Sequence, residues 1–134
     1  MPKSVAIVAG SYHKDKVKKM VEIVKSLSPD NNLLIEEVCW VPGSMEIPLQ
    51  IKRLLLRESI HGVIVLGIIE KGETDHGLVM GQAVTKSVID LQLLSMKPIG
   101  FGIIGPGAGE EQIDKRVEVH AKQAVLAVAE MLTN

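Results

Sequence analysis

A chain of 134 residues with a formal net charge of -1, 46% hydrophobic and 23% charged, is suited to one domain with a sizeable core. That composition excludes a disordered polymer, and near-neutral charge with scattered basic residues argues against nucleic acid as the main partner. No stretch reaches the roughly 20 apolar residues that span a bilayer, and the first apolar run is too short for a signal peptide. The expectation is a soluble, cytoplasmic protein with no membrane partner.

Residues 5–9, all apolar and ended by Gly10-Ser11, predict a buried first strand. Residues 14–28 set Val17, Met20, Val21, Val24 and Leu27 at helical spacing, with lysines on the other face. Pro29-Asp30-Asn31-Asn32 reads as a turn, and 33–40 as a second strand broken by Pro42-Gly43-Ser44. That strand carries the lone Cys39, which has no partner for an internal disulfide and fits a reducing cytosol. Ser44 is placed to cap the next helix. Pro48 falls in its first turn, where a missing donor costs little, and its apolar run ends near Ser59. Residues 63–69 form an apolar third strand that stops at Glu70-Lys71. Gly72-Glu73-Thr74-Asp75-His76 is then a polar turn, with Thr74 or Asp75 as N-cap of a helix over about 77–95. Met80, Val84, Val88 and Leu91 share one stripe of that helix. Residues 99–104 make the fourth strand, and Gly105-Pro106-Gly107-Ala108-Gly109 a backbone-rich loop. The last helix turns Ile113, Val117, Ala124, Val128 and Met131 inward.

The strict β-α alternation predicts an α/β fold over residues 1–134: a single three-layer αβα domain whose four-stranded parallel sheet carries helices on both faces. All the unusual loops (10–13, 41–46, 70–76 and 105–110) follow strands. They gather at the carboxyl edge of the sheet, where ligands of open α/β folds bind.

The turn after the third strand is the most informative stretch. Free N–H groups and the helix dipole there suit an anion such as phosphate, and His76 beside them titrates unaided near neutral pH. The same residues also fit an ordinary capped helix. Tyr12 follows the first strand, where an aromatic can stack on a flat ring or simply cover apolar neighbours. Glu46, at a helix start, is favoured by the dipole, and could also accept hydrogen bonds from a polyol. Phe101 reads as core. Arg116 lies near the start of the last helix, where positive charge opposes the dipole; it invites an anion, or pairs with Asp114 or Glu111 at the surface. No His/Cys cluster has metal-ligand spacing, so no metal is expected. The 105–109 loop lacks the Gly-Lys-Ser/Thr ending of a Walker loop.

Taken together, VPGSMEIPL at 41–49, LGIIEKGETDH at 66–76, FG at 101–102 and EQIDKR at 111–116 resemble, in order, the patterns VPGxxEIP, LGxxIxGET/xH, FG and EQAxxR of the lumazine synthases of riboflavin biosynthesis. The Gly105-Pro106-Gly107 loop is similar to the archaeal branch of that family, and His13 stands where the family usually has asparagine. The resemblance implies a flavodoxin-like topology. It also implies a transferase that condenses 5-amino-6-ribitylaminouracil with 3,4-dihydroxy-2-butanone 4-phosphate, without a cofactor. By motif position it assigns His76 to proton transfer and Tyr12 to ring stacking. Glu46 would bind ribityl hydroxyls, with backbone contacts from Ser44 and Met45. Ile68 and Ile69 would meet the pyrimidine through backbone groups. Gly72, Glu73, Thr74 and Arg116 would hold phosphate, and Phe101 would close the ring pocket from a neighbouring subunit. The family's oligomers, pentamers or larger shells, imply a homo-oligomer with sites between subunits. The alternatives are a flavin- or lumazine-binding protein without turnover and an archaeal-type riboflavin synthase. The intact GETDH and EQIDKR segments argue against the latter.

Overall fold

The computed structural model of the chain describes residues 1–133, and the expected alternation of strand and helix is realised in it. The elements are β1 (Lys3–Gly10), α1 (Lys14–Leu27), β2 (Leu33–Val41), α2 (Ile47–Leu55), β3 (Gly62–Glu70), α3 (His76–Ser95), β4 (Ile99–Ala108) and α4 (Glu110–Thr133). Short 3-10 turns over Pro29–Asn31 and Ser44–Glu46 lead into β2 and α2. The four strands form one parallel sheet in the order β2-β1-β3-β4, the flavodoxin-like arrangement.

Strand side chains alternate between two cores, because successive residues of a strand point to opposite faces. Val5, Ile7 and Ala9 of β1 join Ile64, Leu66 and Ile68 of β3 on one face, under Val17, Met20 and Val24 of α1 and Ile113, Val117 and Val125 of α4. Ala6 and Val8 join Val63, Val65 and Ile69 on the other, under Ile47, Ile51 and Leu54 of α2 and Val84 and Val88 of α3. Helices therefore cover both faces, and the core is almost wholly aliphatic.

The close seat of α4 on β4 depends on Gly100. A Cβ there would lie 2.3 Å from the main-chain oxygen of Ala124 and 2.8 Å from Cγ2 of Val128. Gly100→Ala is expected to cost about 1–3 kcal/mol of stability through overpacking. A lower denaturant midpoint would show it; an unchanged midpoint would mean that α4 can back away freely.

Several local expectations change. Gly105 to Ala108 do not form a free loop but continue β4, with Glu70 paired to Ala108 after a register shift. Gly105 and Gly107 adopt φ of 99° and 88°, a region open to glycine. At Gly105 a Cβ would fall 2.0 Å from the Ile69 carbonyl oxygen, so only glycine admits this bend. Met131 is 57% exposed and lies outside the inward stripe of α4. Ser44 is buried in the 3-10 turn and makes no capping bond; α2 starts later, with Pro48 in its first turn. That helix also ends earlier than expected. The Lys97 ammonium donates to the carbonyls of Leu55 (2.9 Å) and Arg57 (3.1 Å), satisfying acceptors that a longer helix would have used.

Candidate functional site

Strand order decides which loops meet. β1 lies between β2 and β3, so the segments leaving their carboxyl ends stand side by side. Between them opens a cleft of about 410 Å³, within the range of small-molecule sites. Tyr12 comes from the turn after β1. Ser44, Met45 and Glu46 come from the 3-10 turn after β2. Ile68, Ile69 and Glu70 end β3, and Gly72, Thr74 and His76 come from the turn into α3.

Each side chain has a local reason for its place. Ile68 belongs to the core under α1 and α4 and Ile69 to the one under α2 and α3, and both also border the cleft. Glu46 precedes α2, and its N–H donates to the Gly43 carbonyl at 3.2 Å. Its carboxylate is exposed toward solvent. Asp75 occupies the N-cap position of α3 but makes no side-chain capping bond. Thr74 supplies one instead, its Oγ1 accepting the His76 N–H at 3.3 Å. The His76 imidazole stays exposed at the first residue of α3. Nothing lies within 4 Å of where a Gly72 Cβ would be, so the turn is open beside that residue.

Three of the residues singled out from the sequence do not line this cleft within one chain. Glu73 lines a neighbouring hollow on the outer side of the turn, with Leu78, Pro106 and Gly107. Phe101 is half-buried on β4, paired in register with Val65, and packs against the core under α2 and α3. Arg116 is exposed on α4. The carboxylates suggested as its surface partners are engaged by lysines: Asp114 lies 2.9 Å from Lys16 Nζ and Glu111 3.4 Å from Lys115 Nζ. Arg116 makes no hydrogen bond or ion pair among the described residues. No three His, Cys, Asp or Glu side chains among those residues converge as a metal-ligand set.

Glu70 also lines the cleft, yet it was not singled out from the sequence, where it served only to end an apolar run. The Tyr12 hydroxyl donates to Glu70 Oε1 at 2.6 Å, and His13 Nε2 lies 3.0 Å from Glu70 Oε2. The Tyr12 and His13 rings meet edge to face, 4.7 Å between centroids. The hydrogen bond from Tyr12, then that from His13, holds the Glu70 carboxyl below the usual carboxylate range. The same bond to Glu70, reinforced by its negative charge, raises the Tyr12 phenol above its usual value. A signal did exist: Glu70 falls at the isoleucine of the pattern LGxxIxGET. A carboxylate at an apolar position of a strand end needs partners.

The sequence profile of the 6,7-dimethyl-8-ribityllumazine synthase family matches residues 2–134. A protein of Metallosphaera sedula named 6,7-dimethyl-8-ribityllumazine synthase is 39% identical, over 93% of this chain and 83% of its own. Proteins of the same name from Staphylothermus marinus (38% identical, 96% and 85% covered) and Picrophilus torridus (34%, 96% and 93%) are similar along nearly the same span.

Proposed function

The chain belongs to the archaeal-like branch of the 6,7-dimethyl-8-ribityllumazine synthase family, and from that premise we propose how its residues divide the work. The enzyme condenses 5-amino-6-ribitylaminouracil with 3,4-dihydroxy-2-butanone 4-phosphate, releasing phosphate and forming 6,7-dimethyl-8-ribityllumazine for riboflavin biosynthesis. The amine of the pyrimidine attacks the ketone and water leaves, giving an imine. Phosphate is then eliminated, and the ribityl-bearing nitrogen closes the second ring with loss of another water. The nucleophile belongs to the substrate, so the protein supplies position, phosphate binding and proton transfer. Alignment of two bound reactants can supply roughly 7–11 kcal/mol at best.

Tyr12 stacks on the pyrimidine ring, and Ile68 and Ile69 address its edge through main-chain groups. Glu46, beside Ser44 and Met45, accepts hydrogen bonds from the ribityl hydroxyls. Gly72 and Thr74 cradle the phosphate at the start of α3, where free N–H groups and the helix dipole favour an anion; Glu73 contributes from the outer side of that turn. His76 moves protons during imine formation and elimination. The observation that carries this division is that Tyr12, Glu46, Thr74 and His76, from three separate strand-following segments, line one cleft.

Phe101 reaches the cleft from a neighbouring copy in a cytoplasmic homo-oligomer of at least five subunits, as the family resemblance implies, and Arg116, which stands outside the cleft of its own chain, joins the phosphate site from that neighbour as well. Support comes from α3, which exposes Val79 (61%), Leu93 (66%) and Leu94 (73%). Such an apolar face suits burial in an interface. Light scattering is expected to give a pentamer or a multiple of it, and a monomer would remove the shared-site arrangement.

The reaction is tested by incubating the protein with both substrates and following lumazine fluorescence. No product would defeat the assignment, and riboflavin formed from lumazine alone would indicate a riboflavin synthase instead.

A further inference from the structure

We propose that Glu70 is a positioning residue: its carboxylate ties Tyr12 and His13 into one wall of the cleft, so that the flat ring of the substrate meets an aromatic face already held in place. This rests on the reading of Tyr12 as the stacking residue. Tyr12 is 55% exposed, and a solvated tyrosine on a turn has rotamer freedom to lose when a ligand binds. Here the freedom is already removed on two sides. The hydroxyl is anchored on Glu70 Oε1 at 2.6 Å, and the ring abuts the His13 imidazole at an interplanar angle of 74°.

His13 is itself immobilised. It occupies the N-cap of α1 in the left-handed region, φ 56° and ψ 46°, and its carbonyl accepts the N–H groups of Lys16 (3.0 Å) and Val17 (3.1 Å). Its Nε2 meets the second oxygen of Glu70 at 3.0 Å. One carboxylate thus bridges a residue fixed to α1 and the aromatic that faces the ligand, with the nearby Lys16 adding positive charge. Glu70 can do so because β3 adjoins β1, which brings residues 57 and 58 positions apart in the chain into contact. With both oxygens engaged by protein groups, Glu70 acts through Tyr12 and not by touching the reacting atoms.

The test uses Glu70→Ala, Glu70→Gln, Tyr12→Phe and the double variant Glu70→Ala/Tyr12→Phe. Glu70→Ala is expected to raise KM for the pyrimidine substrate, and the dissociation constant of the lumazine product, roughly three- to tenfold. The change in kcat should be smaller, and KM for the ketone phosphate should stay near wild type. Glu70→Gln, whose amide can still accept from Tyr12, should recover most of that loss. Tyr12→Phe should match Glu70→Ala, and the double variant should be no worse than either, as expected when two changes break one interaction. A second readout needs no substrate. Tyr12 is the chain's one tyrosine, so phenolate absorbance titrates it alone; its raised pKa should fall toward the ordinary value in Glu70→Ala.

Additive losses in the double variant, or an unchanged pyrimidine KM in Glu70→Ala, would overturn the proposal even if the titration moved. An unmoved titration would show that the contact itself is absent. A wild-type protein that makes no lumazine would instead defeat the functional reading, and the inference with it.

Discussion

His76→Ala is expected to slow lumazine formation about 10²–10⁴-fold, the range usual for loss of a positioned acid or base. The fold should be untouched. The imidazole is exposed at the first residue of α3, and the bond that orders this position runs from the backbone N–H to Thr74 Oγ1, which alanine keeps. The reaction moves protons at the attacking amine, the ketone oxygen and the carbon next to the one that loses phosphate, so the deficit should appear in kcat more than in either KM. Steady-state kinetics with both substrates, alongside far-UV circular dichroism, checks both halves. Wild-type turnover in a folded variant would remove His76 from the mechanism.

Arg116→Ala should raise KM for the ketone phosphate about 10- to 100-fold, corresponding to the loss of a charge-assisted hydrogen bond worth roughly 1.5–3 kcal/mol. The pyrimidine KM should change much less. Lysines already occupy Asp114 and Glu111, so the guanidinium has no competing partner among the described residues and is available to an anion. Within one chain Arg116 stands outside the cleft that holds His76. The shared-site arrangement therefore makes a sharper prediction. Co-assembling the His76→Ala and Arg116→Ala chains should regenerate sites with one intact histidine and one intact arginine, and activity should exceed that of either variant alone. Failure to recover activity in mixed oligomers would place both residues in the same subunit's site, or Arg116 in none. An unchanged ketone phosphate KM would withdraw its phosphate role.

Much of this is legible in the sequence alone. The runs at 5–9 and 63–69 were apolar because parallel strands covered on both faces have no solvent side, and the helical stripes marked which faces the two cores would take. Met131 shows where periodicity overreaches: at the end of α4 Val128, Ala129 and Leu132 take the core-facing places, and Met131 between them stays exposed. Glu46, Thr74 and His76, which line the cleft, stood out as candidates because each sits in a strand-to-helix turn, but local sequence fitted ordinary helix starts as well, and only the family resemblance gave them expected roles. Glu70 could not be valued in that way, since nothing adjacent in sequence explains a carboxylate closing an apolar strand.

By itself the sequence determined the order of elements, the edge where loops gather and the family to which the turn motifs belong, because these follow from short-range pattern. Only the tertiary structure decided that Gly105 to Ala108 extend β4, that Tyr12 and His13 share the carboxylate of Glu70, and that Phe101 and Arg116 stand away from the cleft of their own chain. The physical reason is common to all of these. Contacts between residues far apart in the chain depend on strand order and on how closely backbones approach, and no window along the sequence contains either.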